Sequence, residues 1–100
     1  MPNSISLRLN KKTVSELDEI AKLEDKDRSS LLREIIEVGI KTKKVEQSIQ
    51  LYQNGKVSMW KAARLAELSL WEFMEELSAR KIPIQYSERD LEEDLKALEE

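Results

Sequence analysis

The sequence predicts a mainly α-helical chain with one short N-terminal strand, and three observations carry that reading. Its 100 residues include only 2 Gly and 2 Pro, which leaves few positions for β-turns and long loops. From Asn10 onward, apolar residues recur at helical spacing behind cap residues, the pattern of helices that bury one face. Strict alternation occurs in Ser4-Ile5-Ser6-Leu7-Arg8-Leu9, the period of a half-buried strand.

Composition narrows the chemistry. Lys and Arg number 17 against 20 Asp and Glu, with no histidine, for a formal net charge of -3. Hydrophobic residues at 40% support packed structure, and charged residues at 37% exceed the usual share of about 25%. The absence of cysteine excludes disulfides, zinc ribbons and thiol nucleophiles. The absence of histidine removes the commonest general base and metal ligand. No phosphate-binding glycine loop and no G-x-S-x-G accompanies the serines and lysines. No catalytic residue, metal or cofactor is expected. No apolar run approaches the roughly 20 residues that span a bilayer, and no signal peptide is seen. The expectation is a cytoplasmic protein without a membrane partner.

Charge is unevenly placed. Residues 1–44 carry ten basic and eight acidic side chains, residues 45–87 five of each, and residues 88–100 two basic against seven acidic. A mildly basic head and an acidic tail point to two different partners, although a solvated helix face is the commoner meaning of any one charge run.

Ile5, Leu7 and Leu9 share one face of the predicted strand. A lone strand leaves its backbone groups unpaired, and the simplest remedy is the same strand from a second copy. Asn10 offers an N-cap, with Thr13 and Glu16 as an alternative capping box. The first helix carries Val14, Leu17 and Ala21 on one face, flanked by Ile20 and Leu23. Asp27 or Ser29 caps a second helix bearing Leu31, Leu32, Ile35, Ile36 and Ile40. Gly39 within it is locally unfavourable and suggests close approach of another helix.

Strand, helix and helix over Ser4 to about Lys44, with SISLRL, the Asn10 cap and DRSSLLREIIEVGI, resembles the ribbon-helix-helix family of DNA-binding dimers. The resemblance implies an antiparallel two-chain ribbon in the major groove of double-stranded operator DNA, with Ser4, Ser6 and Arg8 reading base edges. Arg8 is the principal reader, because a guanidinium bonds guanine bidentately. Lys11, Lys12 and Arg28 would meet phosphates, as would the helix start at Arg28, Ser29 and Ser30. Asp27 departs from the family's usual Ser or Thr and would weaken that contact if it is the cap. The bland alternative is a strand that only dimerises the chain.

Val45, Ile49 and Tyr52 mark a further helical face that ends at Gly55, and whether it continues the preceding helix through Lys41-Thr42-Lys43-Lys44 is open. Ser58 caps a helix with Met59, Ala62, Ala63 and Ala66 inward. Ser69 and Glu72 form a capping box for one with Leu70, Phe73, Met74 and Leu77 inward. The two helices have helix-turn-helix dimensions. Glu67 stands where such turns favour glycine, and the acidic second helix argues for packing or protein contact over DNA contact. Trp60 and Trp71 are either core or contact residues, and Trp71, one position off the inward face, is the better contact candidate. Pro83 ends the helix, and Ile82-Pro83-Ile84-Gln85-Tyr86 reads as extended. Ser87 and Asp90 then cap a last helix with Leu91, Leu95 and Leu98 in a stripe, suited to a partner's groove or to its own domain.

The run GKVSMWKAARLAELSLWEFMEELSARKIPIQYSERDLEEDL resembles uncharacterised protein family 0175, whose members are regarded as antitoxins commonly paired with a PIN-domain ribonuclease toxin. The resemblance implies an antitoxin that represses its own operon and neutralises such a toxin. The expected architecture is a ribbon-helix-helix domain at 1–44 and a helical partner-binding domain at 45–100, assembled as a homodimer or higher even oligomer. Trp71 to Leu98 would wrap the toxin through Trp71, Leu91, Leu95 and Leu98. Arg80, Lys81 and Arg89 would pair with the toxin's metal-binding carboxylates. The alternatives are a stand-alone ribbon-helix-helix transcriptional regulator and a protein–protein adaptor that touches no DNA.

Overall fold

The computed structural model describes residues 3–84 and 88–99, with the side chains at 89, 94 and 97–99 outside that description. It is mainly α-helical, as the sequence predicts, with five helices among the described residues. They are α1 (Lys11–Leu23), α2 (Arg28–Gln53), α3 (Met59–Leu65), α4 (Leu70–Ala79) and α5 (Glu88–Glu99). The chain divides into two compact units, Met1–Val38 and Gly39–Glu100.

The predicted strand is not formed, and the ribbon-helix-helix reading is corrected accordingly. Residues 3–10 adopt no regular structure, and no strand occurs among the described residues. Alternation selects a strand only when a neighbouring strand supplies a hydrogen-bonded ladder, and no other segment among the described residues does so. Ile5 and Leu7 accordingly stand 89% and 65% exposed.

In the first unit, the Asn10 side chain accepts the Thr13 N–H at 2.8 Å and starts α1. Asp27 starts α2, accepting the Ser30 N–H at 2.7 Å. Leu17 and Ala21 from α1 bury against Leu31, with Leu32 at the margin. Ile35 and Ile36 belong to the same predicted face but are about half exposed, because so short a stretch has little chain to cover them.

Helix α2 continues unbroken through Lys41-Thr42-Lys43-Lys44, which contain no breaker. Nothing lies within 4 Å of a Cβ built on Gly39, so the close approach expected there is not made among the described residues.

The second unit holds the larger core. Ile49 and Tyr52 from the end of α2 meet Met59, Ala62 and Ala63 of α3 and Phe73 and Leu77 of α4. The Tyr52 and Phe73 rings pack edge to face with centroids 6.0 Å apart. Ser58 caps α3, and the Ser69–Glu72 capping box closes α4 in both directions. The faces expected from spacing are therefore formed, with Leu70 the most exposed of them.

Helices α1 to α4 all end in the same way. A residue at positive φ follows each of them, and the next N–H donates to the carbonyl five residues back. Gly55 fills that position after α2 at φ 69°, whereas Asp25, Glu67 and Lys81 fill it after the others at φ 54°, 59° and 57°. A chain with two glycines thus closes three helices on residues that pay a steric cost for the left-handed conformation.

Candidate functional site

The last helix is fastened by its acids. Asp90, one of the few buried polar residues at 4% exposure, accepts the Met59 backbone N–H at 2.9 Å. One turn on, Glu93 accepts the Ser58 hydroxyl at 2.5 Å. Ser58 itself accepts the Lys61 N–H at 3.1 Å, so its hydroxyl both caps α3 and holds α5. These bonds satisfy N–H groups at the start of α3 that the helix cannot satisfy internally. They show α5 folded against its own unit, one of the two placements the sequence leaves open, with its acids not all solvated. Asp90 was expected to cap its own helix; it reaches across to another, while Ser87 lies outside the described residues.

With Asp90 and Glu93 turned toward α3, Leu91 and Leu95 of the apolar stripe are left about half exposed. Leu91 and Leu95, one turn apart, are 49% and 52% exposed. A buried acid beside half-exposed leucines departs from the usual amphipathic arrangement. Trp71 on α4 is 70% exposed, consistent with its position off the inward face of that helix. Leu98 lies outside the described side chains.

The three cations proposed for carboxylate pairing are differently placed. Arg80 donates to Glu76 on its own helix. Lys81 occupies the left-handed position after α4. The side chain of Arg89 lies outside the described residues.

The basic residues of the first unit are differently placed. Ser4, Ser6 and Arg8 lie in the irregular segment, exposed, and Lys11 and Lys12 open α1. Arg28 is held bidentately by Asp18, with N–O distances of 3.0 and 2.8 Å, and that hydrogen bond holds the Asp18 carboxyl below its usual range. Asp27, lowered chiefly by the Ser30 backbone N–H, occupies the donor that a phosphate would use, while Ser29 stands beside it.

Spacing did not single out a groove on α3 and α5. About 540 Å³ in volume, it has Trp60 and Leu65 as apolar lining and Lys61, Arg64 and Lys96 as cations. Arg64 stacks on Trp60 with its guanidinium carbon 5.5 Å from the ring centroid, and the i, i+4 spacing of the pair was its one visible signal.

The model of the uncharacterised protein family UPF0175 matches residues 8–100. The match includes most of the stretch that resembles a ribbon-helix-helix domain, so head and tail fall within one family unit. A UPF0175 protein of Aeropyrum pernix is 42% identical over 52 residues, covering 52% of this chain and 58% of that protein. One from Archaeoglobus fulgidus is 44% identical over 48 residues, covering 48% and 55%. The chain thus spans little more than half the length of the curated relatives it matches. No solved structure matches it. No helix among the described residues is long and apolar enough to cross a membrane.

Proposed function

Because the chain belongs to the uncharacterised protein family UPF0175, a family associated with toxin–antitoxin modules, we propose that it is an antitoxin that neutralises a PIN-domain ribonuclease by docking it on α5. The observation that supports this reading is the outward stripe of Leu91 and Leu95 on a helix anchored through Asp90 and Glu93. A helix held by its polar side presents leucines in fixed register, and a partner groove that covers them gains apolar burial with little ordering cost. Trp71 supplies a second contact of the kind enriched in interface hot spots.

Operator binding belongs to the same proposal but has less support. It would use the exposed Arg8, Lys11 and Lys12 without a ribbon.

The test is co-expression with candidate PIN-domain ribonucleases, beginning with any encoded beside its gene. The wild-type chain should co-purify with the ribonuclease and suppress its RNA cleavage. Leu91→Glu/Leu95→Glu should do neither while keeping its helical circular dichroism. Full suppression by that double variant would rule out docking on α5.

A further inference from the structure

We infer that the groove between α3 and α5 takes an acidic peptide segment of a protein partner, with an apolar side chain of that segment seated on Trp60. The inference rests on the partner-binding reading above and assigns it a second contact surface with opposite chemistry to the leucine stripe.

Three features carry it. First, Lys61, Arg64 and Lys96 line one groove, and among the described residues none of them forms an ion pair. Second, the carboxylates beside them are already engaged. Glu67 pairs with Lys44 at 3.3 Å, and Glu93 accepts the Ser58 hydroxyl. Glu67 and Glu93 are directed to Lys44 and Ser58, and the groove lining keeps three cations against these two acids, a net positive charge that suits an external anion. Third, Trp60 and Leu65 give the groove an apolar wall, and its 540 Å³ falls within the range of sites that seat a few side chains.

The same neighbours choose between anions. Glu67 and Glu93 lie on the groove itself, and Glu92 stands exposed on α5. A continuous phosphate chain would pass these carboxylates and be repelled, and a duplex is too wide to enter a concavity of this size. Discrete carboxylates, spaced by apolar residues, can meet the three cations and avoid the acids. Charge complementarity of this kind sets orientation and association rate as much as affinity.

The experiment uses the full chain carrying Trp71→Phe, so that Trp60 is the sole indole. Its fluorescence is titrated at low salt with acetylated, amidated hexapeptides that combine Asp and Glu with one Leu, Phe or Trp-free aromatic position. Oligothymidylate and lysine-substituted versions of the peptides run in parallel. Acidic peptides should shift Trp60 emission saturably, and the lysine versions should not. Lys61→Gln/Arg64→Gln/Lys96→Gln should weaken the acidic peptides about tenfold or more. Because that variant removes charge without adding any, it also serves if a charge-reversed version fails to fold. No saturable shift, or affinity unchanged in the triple variant, overturns the inference, and so does tighter binding of oligothymidylate. Ribonuclease binding, measured on the wild-type chain and on Lys61→Gln/Arg64→Gln/Lys96→Gln with Trp71 intact in both, separates the two readings. Peptide failure with intact ribonuclease binding removes the groove alone, and peptide binding without ribonuclease binding removes only the antitoxin reading.

Discussion

Asp90 of α5 caps Met59 of α3: its carboxylate accepts the Met59 N–H at 2.9 Å across 31 residues of sequence. Because the carboxylate is buried, the bond fixes both the start of one helix and the orientation of another. The outward position of Leu91 and Leu95 follows from it.

Replacing Asp90 by Ala should leave the Met59 N–H without its acceptor in a buried setting and cost about 1–3 kcal/mol. Asp90→Asn keeps an acceptor oxygen and should cost less. Urea denaturation of both variants checks the order. Equal stability of Asp90→Ala and wild type would mean that α5 is not held by this bond.

Lys81 sits at φ 57°, where an L-residue is strained. Lys81→Gly relieves that strain but adds freedom to the unfolded chain, for a net stabilisation of about 0.5–1 kcal/mol. Gly55→Ala, at φ 69° with open space around the position, should move the other way, the left-handed strain on alanine outweighing the freedom it removes from the unfolded chain. Thermal melts of the two variants should therefore shift in opposite directions, and a lower melting temperature for Lys81→Gly would contradict the left-handed assignment.

Gly39 lies within α2 with nothing within 4 Å of a built Cβ. Gly39→Ala should stabilise the chain by about 0.5–1 kcal/mol through helix propensity. A destabilised variant, with an altered sedimentation coefficient, would indicate that another chain closes on this position.

The exposed carboxylates predict acid sensitivity. Hydrogen bonds lower Asp18 (from Arg28), Asp27 (from the Ser30 N–H) and Glu72 (from the Ser69 N–H). A group lowered in the folded state adds stability that is fully present above its unfolded value and is lost as pH falls through the folded one. Stability should therefore hold from neutral pH to about 4 and decline below that. Glu72→Gln combined with Asp27→Asn should flatten the decline, as followed by melting temperature against pH. An unchanged profile would remove the capping carboxylates as its cause.

What the sequence makes legible is local. Asn10, Ser58, Gly55 and the Ser69–Glu72 box act within a turn of their own position, and each lies where the spacing puts it. The faces of α3 and α4 are equally direct, because Ala62, Ala63, Phe73 and Leu77 repeat at helical spacing. The misread parts depend on distant partners. Ser4 to Leu9 alternates as a strand does, but alternation cannot supply a ladder. Asp90 and Glu93 belong to an acidic run that resembles a solvent face, and their partners Met59 and Ser58 are 31 and 35 residues away. Glu67 was legible in part: the turn was expected to need positive φ, and it has it at 59° with a glutamate in place.

Calorimetric titration of the proposed partner, a PIN-domain ribonuclease, into the wild-type chain and into Leu95→Glu tests the central claim most directly. Leu95 is half exposed in the free chain, so its replacement should leave folding intact. If α5 is the docking helix, a glutamate placed in the covered stripe should weaken binding by about 30-fold or more. Equal dissociation constants for the two proteins would show that the ribonuclease does not cover α5, and the account of this helix as the neutralising surface would be wrong.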